Sequence, residues 1–248
     1  MLLETLANSN LLLAFLALIL AGAIAAEAGA RYVQRVAITS ETVDDDLMSQ
    51  IVVAPILGLF ALLLAFTFGQ AIALQEARVV AILGAKQASA QVKSQAAMLP
   101  EAARDQLLLA AAQYDAQLQR QIDGQSENPD EVAQTLQAMN KAVLATLKPN
   151  ASDLVADHLL TAIENVFTAN NTLQQAATSR IPKIVLALQL LYYVLSFFLT
   201  GHLAASKNAY ARHRFATISA AALFSIPLYL VTNLGRPGLH SLVLDKLQ

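Results

Sequence analysis

The sequence contains no cysteine and no tryptophan, and only 14% of its 248 residues are charged. Without cysteine, the chain cannot form disulfide bonds, ligate an iron-sulfur cluster or use a thiol as a nucleophile. Soluble domains average about 25% charged residues, whereas 56% of this chain is hydrophobic, so the composition favours contact with lipid. The formal net charge is -2 and the chain has no Lys/Arg cluster, so nucleic acid is not an expected partner.

The apolar residues are concentrated in four segments that carry almost no charge: 11–26, 51–74, 184–205 and 215–234. A transmembrane helix needs about 20 apolar residues to cross a hydrocarbon core of about 30 Å. The first segment reaches that length when it continues to Ala30. Because the residues before it include Glu4 and no Lys or Arg, we expect a retained helix rather than a cleaved signal peptide.

The region between the second and third segments has an ordinary polar composition and the signals of helices. Pro100 and Glu101 predict a helix start that continues to about Ile122, and further helices are predicted over 130–147 and 153–180. We therefore predict an all-α integral membrane protein, with four transmembrane helices in two hairpins and a helical soluble insert between spans 2 and 3. The predicted parts are an N-terminal hairpin (1–75), the soluble region (76–182), a C-terminal hairpin (183–236) and a tail (237–248).

Small residues recur along the second apolar segment at helical spacing. Ten alanines and glycines from Ala54 to Ala88 follow one another at steps of three or four. Small side chains let helices approach closely in lipid, so the series predicts a packing face on a long, central helix of some 40 residues. The partner is either another helix of this chain or a neighbouring subunit. The predicted packing residues within the membrane are Ala54, Gly58, Ala61, Ala65, Gly69 and Ala73.

Polar residues inside the spans are few. Thr67 and Gln70 lie three apart on span 2. Polar groups at this depth face either a helix bundle, where they form hydrogen bonds, or a water-filled path. One edge of span 3 carries Gln189, Tyr193, Ser196 and Thr200 at steps of four, three and four.

Residue patterns that indicate catalysis or metal binding are not present in the sequence. The four histidines lack ligand spacing, and a zinc site needs three or four ligands. The chain has no nucleophile elbow, Gly-rich phosphate loop or pair of catalytic carboxylates. We therefore expect no enzymatic activity, no cofactor and no metal site.

Four stretches of the chain carry a resemblance to a known family: ILGLFALLLAFTFGQAIALQEAR, MLPEAARDQLLLAAAQYDAQL, SRIPKIVLALQLL and LGRPGLHSLVL. In their order and spacing, the chain resembles the bacterial bestrophin-like membrane proteins, long catalogued as a domain of unknown function. The last stretch departs from the family pattern. Gly235 stands in place of an acidic residue before Arg-Pro, and Gly238 stands in place of the aromatic residue after it.

The resemblance implies kinship with bestrophins, which are pentameric anion channels whose second span lines the pore through an apolar neck. It thus implies a homo-oligomer that conducts inorganic anions, with span 2 near the pore axis, in the bacterial inner (plasma) membrane. The alternative is a membrane-anchored helical scaffold or sensor without conductance. A proton-driven stator ranks last, because Glu27 is the only carboxylate near a span. Carried over to this chain, the pore-lining candidates are Phe60, Phe66, Thr67 and Gln70.

The side of the membrane that the soluble region occupies stays open. The short loops after spans 1 and 3 are rich in Lys and Arg, which favours the cytoplasm for these loops and the opposite side for the soluble region. The bestrophin resemblance implies the reverse orientation.

Overall fold

The structure, a computed structural model, describes residues 2–36, 45–125, 129–145, 154–206 and 210–235. Every regular element in these ranges is an α-helix, which confirms the predicted all-α class. The predicted tail, 237–248, lies outside the described residues. The helices are α1 (Leu2–Val36), α2 (Asp45–Ala96), α3 (Glu101–Ile122), α4 (Pro129–Leu144), α5 (Leu154–Thr178), α6 (Lys183–Ser206) and α7 (Tyr210–Leu234).

Four segments within the described residues are long and apolar enough to cross a membrane, as predicted: Leu13–Arg35, Ala54–Ala96, Asp157–Ala205 and Phe215–Leu234. The third range joins α5 to α6, of which α6 is the more apolar helix. The chain is therefore a multi-pass, all-α membrane protein.

Helix α2 is longer than the sequence predicted. It has 52 residues, which corresponds to about 78 Å at 1.5 Å per residue. The helix ends at Ala96, four residues before Pro100, which serves as the N-cap residue of α3.

The chain divides into two compact units. Unit 1 takes Met1–Ile72 and Ile181–Arg236, and therefore contains α1, the first part of α2, α6 and α7. Unit 2 takes Ala73–Arg180, which contains the remainder of α2 and the helices α3, α4 and α5. Its core is a layer of apolar side chains from these four helices, including Val92, Leu107, Leu136, Met139, Leu159 and Val166.

In unit 1, glycines bring the backbones of α1 and α6 into direct contact. A Cβ atom added to Gly29 would lie 2.0 Å from the carbonyl oxygen of Phe198. One added to Gly201 would lie 1.9 Å from the carbonyl oxygen of Ala26. Both distances are far below van der Waals contact, so glycine is the residue that fits at these two positions. The approach of two backbones at small residues is a common way for helices to associate in lipid.

The directions of the three contacting helices follow from the contacts between them. Leu18 of α1 meets Tyr193 of α6, and Ala26 meets Gly201, so α1 and α6 run parallel. Helix α7 is antiparallel to both, because its Tyr229 contacts Phe15 and its Ala221 lies beside Gly22. The predicted layout of two hairpins is not confirmed, because α1 makes its close contacts with α6 and α7.

In the membrane part of α2, the small residues from Ala54 to Ala73 pack against no described part of the chain, whereas Ala81 and Ala88 of the same series are buried in the cores of unit 2. A Cβ atom added to Gly58 or Gly69 would meet nothing within 4 Å. The sequence left two partners open, a helix of this chain or a neighbouring subunit. Helices of this chain cover Ala81 and Ala88, but no described helix covers the stretch from Ala54 to Ala73. A neighbouring subunit stays a prediction. The exposed residues of this face are Ala54, Gly58, Ala61, Ala65, Gly69 and Ala73.

We expect Gly201→Ala to destabilise the protein by about 1–3 kcal/mol, because the new methyl group overlaps a backbone carbonyl that cannot move without shifting α1. The matched control is Gly84→Ala, which adds the same methyl group in open space on α2, outside the stretch from Ala54 to Ala73, and should be neutral or stabilising by up to about 1 kcal/mol. Thermal unfolding of both variants in detergent measures the difference. Equal melting temperatures would contradict the close contact between α1 and α6.

Candidate functional site

Tyr193 of α6 connects the other helices in the interior of unit 1. Its side chain is fully buried, and its hydroxyl group lies 3.0 Å from the carbonyl oxygen of Leu18, to which it donates a hydrogen bond. The same hydroxyl lies 2.8 Å from Ser225 Oγ on α7, and when Tyr193 donates its single proton to Leu18, Ser225 is the donor in this pair. The carbonyl oxygen of Ala221, 2.7 Å from Ser225 Oγ, is the alternative acceptor for the serine proton. The tyrosine thus supplies polar contacts from α6 to both α1 and α7.

Four aromatic rings pack around this hydrogen-bonded group. The centroid of the Tyr193 ring lies 4.9 Å from that of Phe197 and 6.1 Å from that of Phe60 on α2. Phe224 of α7 completes the cluster at 5.7 Å from Phe60. Tilted and edge-on ring pairs at these separations add to the free energy gained by burial. Phe60, together with Leu64 in the same cluster, therefore packs α2 against α6 and α7.

The predicted pore residues of α2 lie on two different faces. Phe60 and Thr67 are buried, at 1% and 0% exposure, and Phe60 packs in a cluster with residues of α6 and α7. Phe66 is 61% exposed, and Gln70 is exposed one turn later. Residues six apart on an α-helix differ by about 240° around its axis, which separates Phe60 from Phe66. The structure thus places Phe60 and Thr67 on one face of α2 and Phe66 and Gln70 on another.

The Thr67 hydroxyl group is used within its own helix. Its Oγ1 lies 2.9 Å from the carbonyl oxygen of Leu63 and 3.0 Å from that of Leu64. Such bonding to the preceding turn is a usual way for threonine to satisfy its hydroxyl group inside an apolar environment. The polarity of Thr67 is therefore accounted for inside α2.

The predicted polar edge of α6 is buried in the interior of unit 1. Gln189 is fully buried, and neither atom of its amide group makes a hydrogen bond within the described part of the chain. The hydroxyl group of buried Ser196 also lacks a partner among these residues. Thr200 donates to the carbonyl oxygen of Ser196 at 2.8 Å. Of the two alternatives, interhelical hydrogen bonding applies to Tyr193, while Gln189 and Ser196 keep unused hydrogen-bonding capacity.

Two surface cavities lie between α1, α6 and α7. One has a volume of about 540 Å³ and is mainly apolar, with Leu18, Leu190 and Leu228 in its lining. The other has a volume of about 640 Å³ and lies at the C-terminal end of α1, where Glu27, Arg31 and Arg35 contribute charged groups. The second cavity therefore combines charge with the apolar surface of a spanning helix.

Arg78 of α2 is a buried cation in unit 2 that the sequence analysis did not single out. Its side chain is 2% exposed and donates to the carbonyl oxygens of Ser179, at 2.9 Å, and Ala176, at 3.4 Å. Carbonyls at a helix C-terminus lack intrahelical partners and interact favourably with a positive charge. Arg78 therefore caps the end of α5. The signal in the sequence is its place seven residues after Ala71 and three after Gln75, on one helix face.

The described residues contain no group of three or more His, Asp and Glu side chains that could hold a metal ion. Charged side chains on the surface of unit 2 form ion pairs, such as Lys93 with Asp115 and Arg104 with Asp105. The expectations that the chain is not an enzyme and binds no cofactor stay predictions.

We expect Tyr193→Phe to lower the free energy of unfolding by about 1 kcal/mol, because it removes the hydroxyl group that bonds to α1 and α7. Tyr192→Phe is the control, since the hydroxyl of that half-buried neighbour makes no hydrogen bond within the described residues. A double-mutant cycle with Ser225→Ala measures the coupling between the two hydroxyl groups. Additive effects in this cycle would mean that they do not interact.

Replacing Arg78 with methionine should cost about 2–3 kcal/mol, because the last carbonyls of α5 lose a charged donor inside the protein. Hydrogen exchange should become faster in the last turn of α5 than in its first turns. Arg180→Met is the control, because this arginine is exposed and makes no hydrogen bond within the described residues. An unchanged exchange rate at residues 175–179 in Arg78→Met would contradict the capping role.

Comparison of the chain with protein-family models, with curated proteins and with solved structures finds no match. The resemblance to bestrophin-like proteins therefore stays a prediction from the motifs quoted above. The function has to be inferred from the residues and contacts of the chain itself.

Proposed function

We propose that this protein is a homo-oligomer whose subunits meet through α2, and that the assembly conducts inorganic anions across the membrane. The observation that carries the proposal is the exposed face of small residues on α2, against which no described residue packs. Small residues that face lipid make fewer van der Waals contacts than large residues, and no other interaction compensates for the loss. Against another helix, they allow the close approach that stabilises association in membranes.

The residues beside this face favour a polar path along α2. Gln70 is exposed within an otherwise apolar stretch, and an amide group in contact with hydrocarbon is costly. A subunit interface or a water-filled axis would satisfy its hydrogen bonds. Phe60 and Thr67 are committed to the interior of the protomer, which leaves Phe66 and Gln70 as the pore candidates.

Aromatic ring edges and amide N–H groups are weakly positive and suit anions without a fixed charge. The resemblance to bestrophin-like proteins supports the same function. It favours five subunits and a location in the bacterial plasma membrane.

The second candidate function is a membrane-anchored scaffold or sensor. The observation that favours it is the compactness of unit 2, whose four helices enclose an apolar core of their own. A helical unit of this kind is able to bind a partner without any ion passing through the membrane helices. The two functions share the assembly through α2 and differ in conductance.

Assembly through α2 can be tested by disulfide cross-linking, because the chain contains no cysteine of its own. We expect Gly58→Cys and Ala65→Cys to form covalent dimers on mild oxidation, since disulfides require Cα atoms within about 7 Å. Leu223→Cys on α7 is the control. Leu223 is 67% exposed, and its neighbour Phe224 packs against Phe60 of α2, so the control cysteine lies at the level of Phe60 but on another helix. Dimers that form equally well in all three variants, or in Leu223→Cys alone, would contradict the proposed interface.

Conductance is tested with the purified protein in liposomes. We expect chloride efflux from the wild type, and we expect a charged thiol reagent to block the efflux of Gln70→Cys but not that of Leu223→Cys. Cross-linking through α2 without any anion flux would favour the scaffold over the channel. Flux that the reagent leaves unchanged in Gln70→Cys would remove Gln70 from the conducting path.

A further inference from the structure

The charged cavity at the C-terminal end of α1 lies at the depth of lipid headgroups. The first apolar segment begins at residue 11, and the 20 residues from there to Ala30 rise about 30 Å, the thickness of a hydrocarbon core. Arg31 and Arg35 follow directly after this length. Their charged groups therefore lie where a bilayer changes from acyl chains to phosphates.

The polar side of the cavity has a net positive charge. One carboxylate, that of Glu27, and two guanidinium groups, those of Arg31 and Arg35, add up to a net charge of +1. Arg31 Nε lies 3.0 Å from Glu27 Oε1, and the arginine side chain is 68% exposed. The other guanidinium nitrogens of Arg31 and those of Arg35 make no hydrogen bond within the described residues. These groups are free to bind a phosphate in the forked geometry that guanidinium favours.

The other side of the cavity is apolar and open to the bilayer. Ile24 of α1 and Ile218 of α7 are exposed at 59% and 42%, and Phe198 of α6 lines the cavity between them. Tyr32 is 54% exposed, and its ring centroid lies 6.2 Å from that of Phe198. Tyrosine at this depth is typical of the membrane interface. The cavity thus has an acyl-facing wall directly below its basic rim.

We propose that this cavity of about 640 Å³ binds one anionic phospholipid, with its phosphate at Arg31 and Arg35 and an acyl chain along Ile24 and Ile218. The net charge of +1 matches the single negative charge of a phosphodiester. A free inorganic anion would use the rim and leave the apolar wall uncovered, whereas a lipid covers both. Basic pockets between transmembrane helices are a known class of headgroup site. The site is built by α1, α6 and α7 and does not depend on the proposed conduction along α2.

The experiment is native mass spectrometry of the purified full-length protein titrated with phosphatidylglycerol and, separately, with phosphatidylcholine. We expect the wild type to keep one phosphatidylglycerol per chain. Each arginine near a membrane surface contributes about fivefold in affinity, so Arg31→Gln/Arg35→Gln should bind this lipid about 25-fold more weakly. The control Arg104→Gln/Arg180→Gln removes the same charge outside the cavity and should bind as the wild type does.

A second variant tests the apolar wall without changing the charge. Ile218→Trp fills the cavity, and we expect it to lose the bound phosphatidylglycerol while keeping both arginines. If the double arginine variant does not fold, which its melting curve reports, Arg35→Gln alone replaces it, with an expected loss of about fivefold.

Several results would overturn the proposal. Equal binding of phosphatidylcholine would mean that charge does not select the lipid. Full phosphatidylglycerol binding by either the arginine variants or Ile218→Trp would put the lipid elsewhere. Displacement of the lipid by inorganic phosphate at equal concentration would mean a free-anion site.

Discussion

The contact between the backbones of α1 and α6 is the constraint on which the rest of unit 1 depends. Lipid gives helices little hydrophobic reason to associate, so stability comes from close packing and hydrogen bonds. Gly29 and Gly201 set the distance between the two helices. That distance in turn lets the hydroxyl group of Tyr193 reach the carbonyl oxygen of Leu18, and it fixes the ring against which Phe60 of α2 packs. The cavity beside Arg31 is bordered by the same pair of helices.

Polar groups inside unit 1 occur in three kinds of hydrogen-bonding environment, each with a different energetic consequence. Thr67 satisfies its hydroxyl group within one helix and so does not affect how helices meet. Tyr193 forms hydrogen bonds between helices, which gives the packing a definite register. The buried amide of Gln189 has no partner among the described residues, and an unsatisfied amide in an apolar interior costs free energy. The buried hydroxyl group of Ser196, also without a partner among these residues, is in the same situation.

Much of the fold could be predicted from the sequence, because length and composition determine which segments cross a bilayer. The start of α3 at Glu101 follows from Pro100, and the fourth apolar segment ends with α7 at Leu234. The covered face of α2 could not be predicted in this way. Its small residues and its buried series Phe60, Leu64, Thr67 and Ala71 both follow helical spacing, and the spacing does not indicate which of the two packs inside the protomer. Gly29 follows Gly22 and Ala26 on α1 at steps of four and three, but this spacing does not indicate that the partner is Gly201 of a helix far along the chain.

The pairing of α1 with α6 also bears on how the protein is made. Leu18 and Tyr193 are 175 positions apart, so the first span leaves the ribosome long before the helix it packs against exists. At a synthesis rate of about 5–20 residues per second, the delay is roughly 9 to 35 seconds. During that time α1 lies in the bilayer with Gly22 and Gly29 facing lipid or the insertion machinery. The nascent chain therefore has an interval in which its first helix is available to wrong partners, and the interval closes when the third span is inserted.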